Sequence, residues 1–196
     1  MPTEPSGDLE ALAVSVSAQM TGYLLALAEV ARGDEPEIAL SHLMLETSQL
    51  GLAGGRLAAL SDVHLDDQFE ADAGDDPDLD TVRDGLRRLL GELDVYVDVV
   101  DPMAPERGTA VFRVSDELTS VAADLMHGMA HFSQGRTTEA LWWWQYSYLS
   151  SWGRRCCRLN APCPRSWRTP VSTPTAPPRA RLDWADQSGR RRRRGW

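Results

Sequence analysis

Apolar residues recur at steps of three and four along most of the first 153 positions, and each such run predicts a helix. Leu9, Leu12, Val16, Met20, Tyr23, Leu27 and Val30 make one stripe, so a first helix is expected from a cap at Asp8 to about Arg32. Gly33 stops it, and Asp34 with Pro36 opens a second over about Glu35 to Leu60. That second helix is apolar nearly all round (Ile38, Leu40, Leu43, Met44, Leu45, Leu50, Leu52, Leu57), the pattern of a central, buried helix. Its Gly51, Gly54 and Gly55 lower helix propensity, so a close neighbour is expected there. A third helix follows Asp76-Pro77 and runs to about Val100, with Val82, Leu86, Leu89, Leu90, Leu93 and Val97 inward. Asp101-Pro102 ends it, and residues 102–114 read as a loop with an extended piece at Val111–Val114. Ser115 caps a fourth helix to about Gln134, with Leu118, Val121, Leu125, Met129 and Phe132 inward. Thr137 or Thr138 opens a fifth that ends at Gly153. The expected fold is an all-α, antiparallel bundle of about five helices over residues 8–153.

The fifth helix carries four tryptophans and two tyrosines between Leu141 and Gly153. Rings at consecutive positions cannot all face one way, so this element must be covered on more than one side. Trp144, Tyr148 and Trp152 share one stripe with Leu141 and Gln145; Trp142, Tyr146 and Leu149 share another. Core packing accounts for most of the excess, and a partner groove or ligand shelf for the rest, which makes Trp142, Trp144, Gln145 and Tyr148 binding candidates. Gly135-Arg136 before Glu139-Ala140-Leu141 is similar to a tetratricopeptide helix, but no 34-residue period repeats.

Charge divides the chain sharply. Residues 1–153 hold 8 Arg against 27 Asp and Glu, while residues 154–196 hold 12 Arg against 2 Asp, and there is no lysine. An acidic body argues against binding nucleic acid through phosphates. All three cysteines lie in the basic segment, so no disulfide framework or zinc-finger spacing is expected. The acidic stretch 62–80 lacks the glycine register of an EF-hand and reads as a solvated loop. No unbroken apolar run reaches about 18 residues and no signal-peptide pattern opens the chain, so a cytoplasmic protein without a membrane span is expected.

Two constellations could carry chemistry. On the second helix His42, Glu46, Gln49 and Arg56 fall on one arc, which reads either as a polar pocket in the bundle or as the helix's wet face. On the fourth, Asp124, His127 and His131 stand at steps of three and four, a spacing able to ligate one metal, although His127 points away from the apolar stripe. A hydrogen-bonded or solvated face is the simpler reading. No phosphate loop, nucleophile elbow or cysteine–base pair is present. A non-enzymatic protein-interaction module with no cofactor, able to self-associate, is therefore favoured. The alternative is a helical-bundle enzyme or ligand-binding protein with a polar or metal site between the second and fourth helices.

The run Ala140 to Gly153 resembles the signature of the DUF5063 family, bacterial and common in actinobacteria. Leu45 to Leu50, Phe69-Glu70 before an acidic loop, and Asp124 to Gly128 before His131 are similar to it as well. The resemblance implies a compact helical domain without established activity, normally of six helices. After Gly153 it breaks: Arg154-Arg155-Cys156-Cys157 leads into Pro-rich sequence and a run of arginines. A reading-frame shift in GC-rich coding sequence would produce such a composition. The competing reading is a genuine disordered basic arm that binds nucleic acid or the acidic body of another copy.

Overall fold

A computed structural model of the chain describes residues 5–60, 63–65, 70, 72–100, 103, 106 and 108–160. Helices α1 (Pro5–Val30) and α2 (Pro36–Ala58) are joined by a five-residue turn and pack along each other. Pro36 suits the first turn of α2, where its missing N–H has no partner to lose. Ala13, Val16, Met20, Tyr23 and Leu27 of α1 are buried, and the Tyr23 hydroxyl donates to the Leu118 carbonyl at 3.1 Å. By length and composition α1 is nonetheless apolar enough to cross a membrane. Counting unbroken apolar runs missed this, because Ser, Thr and Gly interrupt the run without making the helix polar. Its apolar stripe is used inside the bundle.

Helix α3 (Asp80–Leu90) is shorter than the periodicity predicts. Gly91 takes a φ of 54°, a left-handed setting that glycine tolerates, and a 3-10 turn over Gly91–Asp94 follows. The chain then enters strand β1 (Val95–Val99), which pairs antiparallel with β2 (Thr109–Arg113). Alternating β-branched residues in Val95-Tyr96-Val97-Asp98-Val99 favour this over helix. Val97, expected inside, therefore faces outward opposite Val111, while Tyr96 and Phe112 stack on the inner face.

Helix α4 (Val114–Ser133) follows β2 directly. Ser115, the expected cap, lies inside the helix, and Arg113 holds the cap position without a side-chain cap bond. Buried Asp94 reaches across from the 3-10 turn, accepts the Ser115 N–H at 2.7 Å and the Ser115 hydroxyl at 3.0 Å, and pairs with Arg113. A carboxylate there satisfies an orphan donor and suits the positive end of the helix.

Helix α5 (Thr137–Ser147), a π turn (Tyr148–Trp152) and helix α6 (Gly153–Asn160) form one continuous rod. The expected stop at Gly153 is thus corrected. Arg154 to Asn160 continue the helix, Cys156 and Leu159 are buried, and α6 packs on α2. The period is legible afterwards, since Trp152, Cys156 and Leu159 step by four and three onto the α2 side. The disordered Arg/Pro-rich tail expected over residues 154–196 is corrected as far as Asn160, and its remainder, 161–196, lies outside the described residues.

The rod runs antiparallel to α2. A side chain on Gly54 would overlap the Tyr148 and Trp152 rings, while Gly51 lies against Cys156, so numbers rise along one helix as they fall along the other. Of the three glycines expected to admit a close neighbour, Gly54 is the one that does so by necessity. Trp152 is fully buried against Gly54 of α2, and Trp144 is fully buried on the α4 side, against Gly128. Helix α2 is not the all-round buried centre that its composition predicts. Leu43, Leu50 and Leu57 are buried on one side, whereas Ile38, Leu45 and Leu52 are 65%, 56% and 62% exposed. Among the described residues α2 packs chiefly on α1 and the rod, and one face of it is left open.

Candidate functional site

His127 and His131 stand one turn apart on α4, held by a helix that is covered by α1, α3 and α5. Their Nε2 atoms both lie 2.7 Å from one oxygen, Oε1 of Glu70. Glu70 comes from the acidic stretch before α3, whose described residues are tied to the bundle at further points. Arg136 donates to the Asp72 carbonyl at 3.1 Å, and the Val63 N–H donates to Gln145 Oε1 at 2.9 Å. A carboxylate oxygen only accepts, so each Nε2 carries a proton in this arrangement. Nδ1 of His131 is buried and without a hydrogen-bond partner. His131 is completely buried, while Glu70 and His127 keep about a fifth and a quarter of their side-chain surface.

The sequence reading placed Asp124 beside these histidines. Asp124 instead accepts from the Ser151 hydroxyl at 2.7 Å. Burial pushes its carboxyl above the usual range, against the lowering effects of the Ser151 bond, Arg155 and His127. Glu70 takes the third corner. Its distance in sequence, more than fifty residues from the helix, hid the pairing; Phe69-Glu70 was visible only as part of the family resemblance.

Trp143 was missed as well. Its ring stacks on His127 with centroids 3.9 Å apart, and its indole N–H donates to the Asp124 carbonyl at 2.8 Å. Trp142 lies tilted against Trp143 and stacks flat on Tyr146 at 5.4 Å. The aromatic series therefore runs from the buried His131, past His127 and Trp143, to Tyr146 and Leu149 at the surface.

The other candidates divide by depth. Trp144 is core, with its N–H on the Leu125 carbonyl at 3.2 Å. Gln145 is buried and clamps the end of α2, donating to the Leu57 carbonyl at 2.9 Å. Tyr148 meets Trp152 edge to face. On α2, His42 and Glu46 face one another at 3.7 Å, and Gln49 and Arg56 are exposed, so these four are not gathered with the α4 histidines. They belong to the outer face of α2, together with Ile38, Leu45 and Leu52.

A second charged cluster was invisible in the sequence because half of it lies past Gly153. Glu117, nearly buried on α4, accepts from Arg155 at 3.1 Å and from Arg158 at 3.3 Å. The Arg158 guanidinium also lies 4.5 Å over the Phe112 ring. Beside them the Tyr96 hydroxyl is pushed up to about 12, by burial first and by Glu117 second.

Among the described residues, helices α1–α4, the α5–α6 rod and one small hairpin make this a mostly α bundle, with a carboxylate–imidazole cluster on α4. The chain belongs to the DUF5063 family, a domain of unknown function, whose model matches residues 7–160. That span ends with α6, so the family likeness reaches Asn160, past the break expected at Gly153. Among solved structures the fold is similar to the crystal structure of protein BF1032 from Bacteroides fragilis, with a TM-score of 0.63 and 13% identity over 82% of this chain and 95% of that one. At that identity the likeness concerns the fold alone. No curated protein matches the sequence.

Proposed function

We propose that the protein is a non-enzymatic interaction module whose working face is the outer side of α2. The observation that carries this is the spacing of the exposed residues there. Ile38, His42, Leu45, Gln49, Leu52 and Arg56 alternate by four and three, the repeat with which one helix packs along another. Apolar side chains at every seventh position, more than half exposed, are what a partner helix would cover. His42, Gln49 and Arg56 between them would set register, since polar groups in a seam penalise misaligned partners.

The seam is nearly symmetric about Leu45. In an antiparallel pair of α2 helices, Ile38 would meet Leu52 of a second copy, Leu45 would meet Leu45, and exposed Glu35 would approach Arg56. A second copy is accordingly the partner favoured by this chemistry, with Tyr146 and Leu149 as a separate apolar spot. Light scattering on the purified chain should show concentration-dependent association. Leu45→Glu, which sets two carboxylates face to face at the dyad, should reduce it while leaving the unfolding temperature unchanged. Arg56→Glu should weaken it, and adding Glu35→Arg should restore it. A wild-type chain that stays monomeric at high concentration, or association indifferent to Leu45→Glu, would sink the proposal.

A further inference from the structure

We propose that Glu70, His127 and His131 form a binding site for one divalent transition-metal ion of the zinc and ferrous-iron class. This goes beyond the α2 docking face and would stand or fall separately from it. The three side chains offer two imidazole nitrogens and one carboxylate oxygen, and these ligand atoms all lie within 4.8 Å of one another. That donor set is borderline in softness. It suits zinc, iron, cobalt or manganese better than calcium or magnesium, which prefer all-oxygen shells.

The imidazoles are positioned before any ion arrives. Both sit on one rigid helix a turn apart, His131 is enclosed by the core, and His127 is held flat by Trp143, whose own N–H is fixed on the Asp124 carbonyl. Little ordering remains to oppose binding. Nδ1 of His131 has no partner, so the polar contact made by that buried ring is directed at the Glu70 corner through Nε2. Each imidazole Nε2 is 2.7 Å from Glu70 Oε1. Ligands around a tetrahedral zinc stand about 3.3 Å apart, as bond lengths near 2.0–2.1 Å require. A shift of well under an ångström by the glutamate would bring its two separations from the imidazoles to that length. The ion would take the place of the protons that Nε2 now shares with the carboxylate.

Three protein ligands leave at least one position free, the mark of an open site rather than a closed structural one. Glu70 and His127 both retain some exposed side-chain surface. The surrounding body is strongly acidic, with Asp72 and Asp75 in the same stretch as Glu70, which raises the local concentration of cations.

The test uses the full-length chain, stripped with a chelator and then titrated with zinc by calorimetry and with cobalt(II) by absorbance. The expected result is one equivalent bound per chain, a cobalt spectrum without a thiolate charge-transfer band, and a rise in unfolding temperature on adding zinc. Glu70→Gln and His127→Gln keep the size and a hydrogen-bonding end while removing a ligand atom, and far-UV circular dichroism checks that both fold. Each should lower affinity by at least about tenfold and abolish the thermal shift. The proposal is overturned by absent binding, by binding that both variants retain, or by binding that disappears in Cys157→Ser, which would assign the ion to the thiols.

Discussion

At the scale of the residue, neighbours in sequence can live in opposite environments, and the two adjacent cysteines show how far that goes. Cys156 is buried on the α2 side of α6, and burial pushes its thiol up to about 12. Cys157, one step round the helix, is exposed. The thiolate is the reactive form, so at about pH 8.5 an alkylating reagent meets almost none at Cys156. Iodoacetamide on the native chain should label Cys157 and spare Cys156, with both labelled in denaturant. Equal native rates in a peptide map would show that α6 does not pack as described. The same logic governs what could be read at the α4 site. His127 and His131 were legible as a pair, because i, i+4 spacing is a property of one helix. Glu70 was not, because it stands 57 residues before His127, and no local pattern encodes a contact at that separation. Asp124 had the right spacing and a different partner, Ser151, on the next helix.

At the scale of the element, periodicity gave helix existence and missed how many sides each helix covers. The inward stripe of α1 (Val16, Met20, Tyr23, Leu27) was legible and is buried. In α2 an apolar face on both sides reads as burial on both sides. Sequence alone cannot separate a central helix from an outer one with an apolar docking face, since the distinction lies in the number of neighbours. The end of α3 failed for another reason. Leu93 and Val97 continue the helical step of four, yet β-branched alternation and the left-handed Gly91 prevail once a partner strand is available to take the backbone hydrogen bonds. Gly54 gives the sharpest element-scale test. Glycine costs α2 about 1 kcal/mol of propensity against alanine, so Gly54→Ala would stabilise an isolated helix. Here the added methyl would collide with Tyr148 and Trp152, rings held in a buried seam. Overpacking of that kind typically costs about 1–3 kcal/mol, which exceeds the propensity gain. Gly54→Ala should therefore lower the urea midpoint, whereas Gly55→Ala, whose new Cβ would only touch the Tyr148 hydroxyl at 3.9 Å, should leave it unchanged or raise it. A neutral Gly54→Ala would mean that the α2–rod seam is looser than the geometry requires.

At the scale of the whole molecule, the bundle is closed by a segment whose composition looks foreign to it. Arginine, cysteine and the loss of acidic residues after Gly153 mark a break in sequence statistics, yet the fold and the family span both run on to Asn160. The reason is electrostatic as much as apolar. Glu117 is about 5% exposed on α4 and would be an uncompensated charge without Arg155 and Arg158. Arg158 in turn covers Phe112 and joins the hairpin to the rod, while Cys156 and Leu159 close the α2 side. A compositional boundary is therefore not a structural one when the basic residues past it answer an acid before it. This fixes the outcome of two truncations. A chain ending at Asn160 keeps every one of these contacts and should unfold in urea with the cooperativity of the bundle. A chain ending at Gly153 leaves Glu117 buried without its partners, a loss of about 3–5 kcal/mol for a broken buried pair. It also exposes the sites filled by Leu159 and Cys156, worth about 1.5–3 kcal/mol for the leucine alone. Against a total stability of about 5–15 kcal/mol for a domain of this size, the shorter chain should be marginal or unfolded at room temperature. Replacing Glu117 with Gln in it should recover part of the loss, because the buried charge is then gone and the packing deficit remains. Equal urea midpoints for the two truncated chains would show that α6 is an appendage and that Glu117 finds its compensation elsewhere.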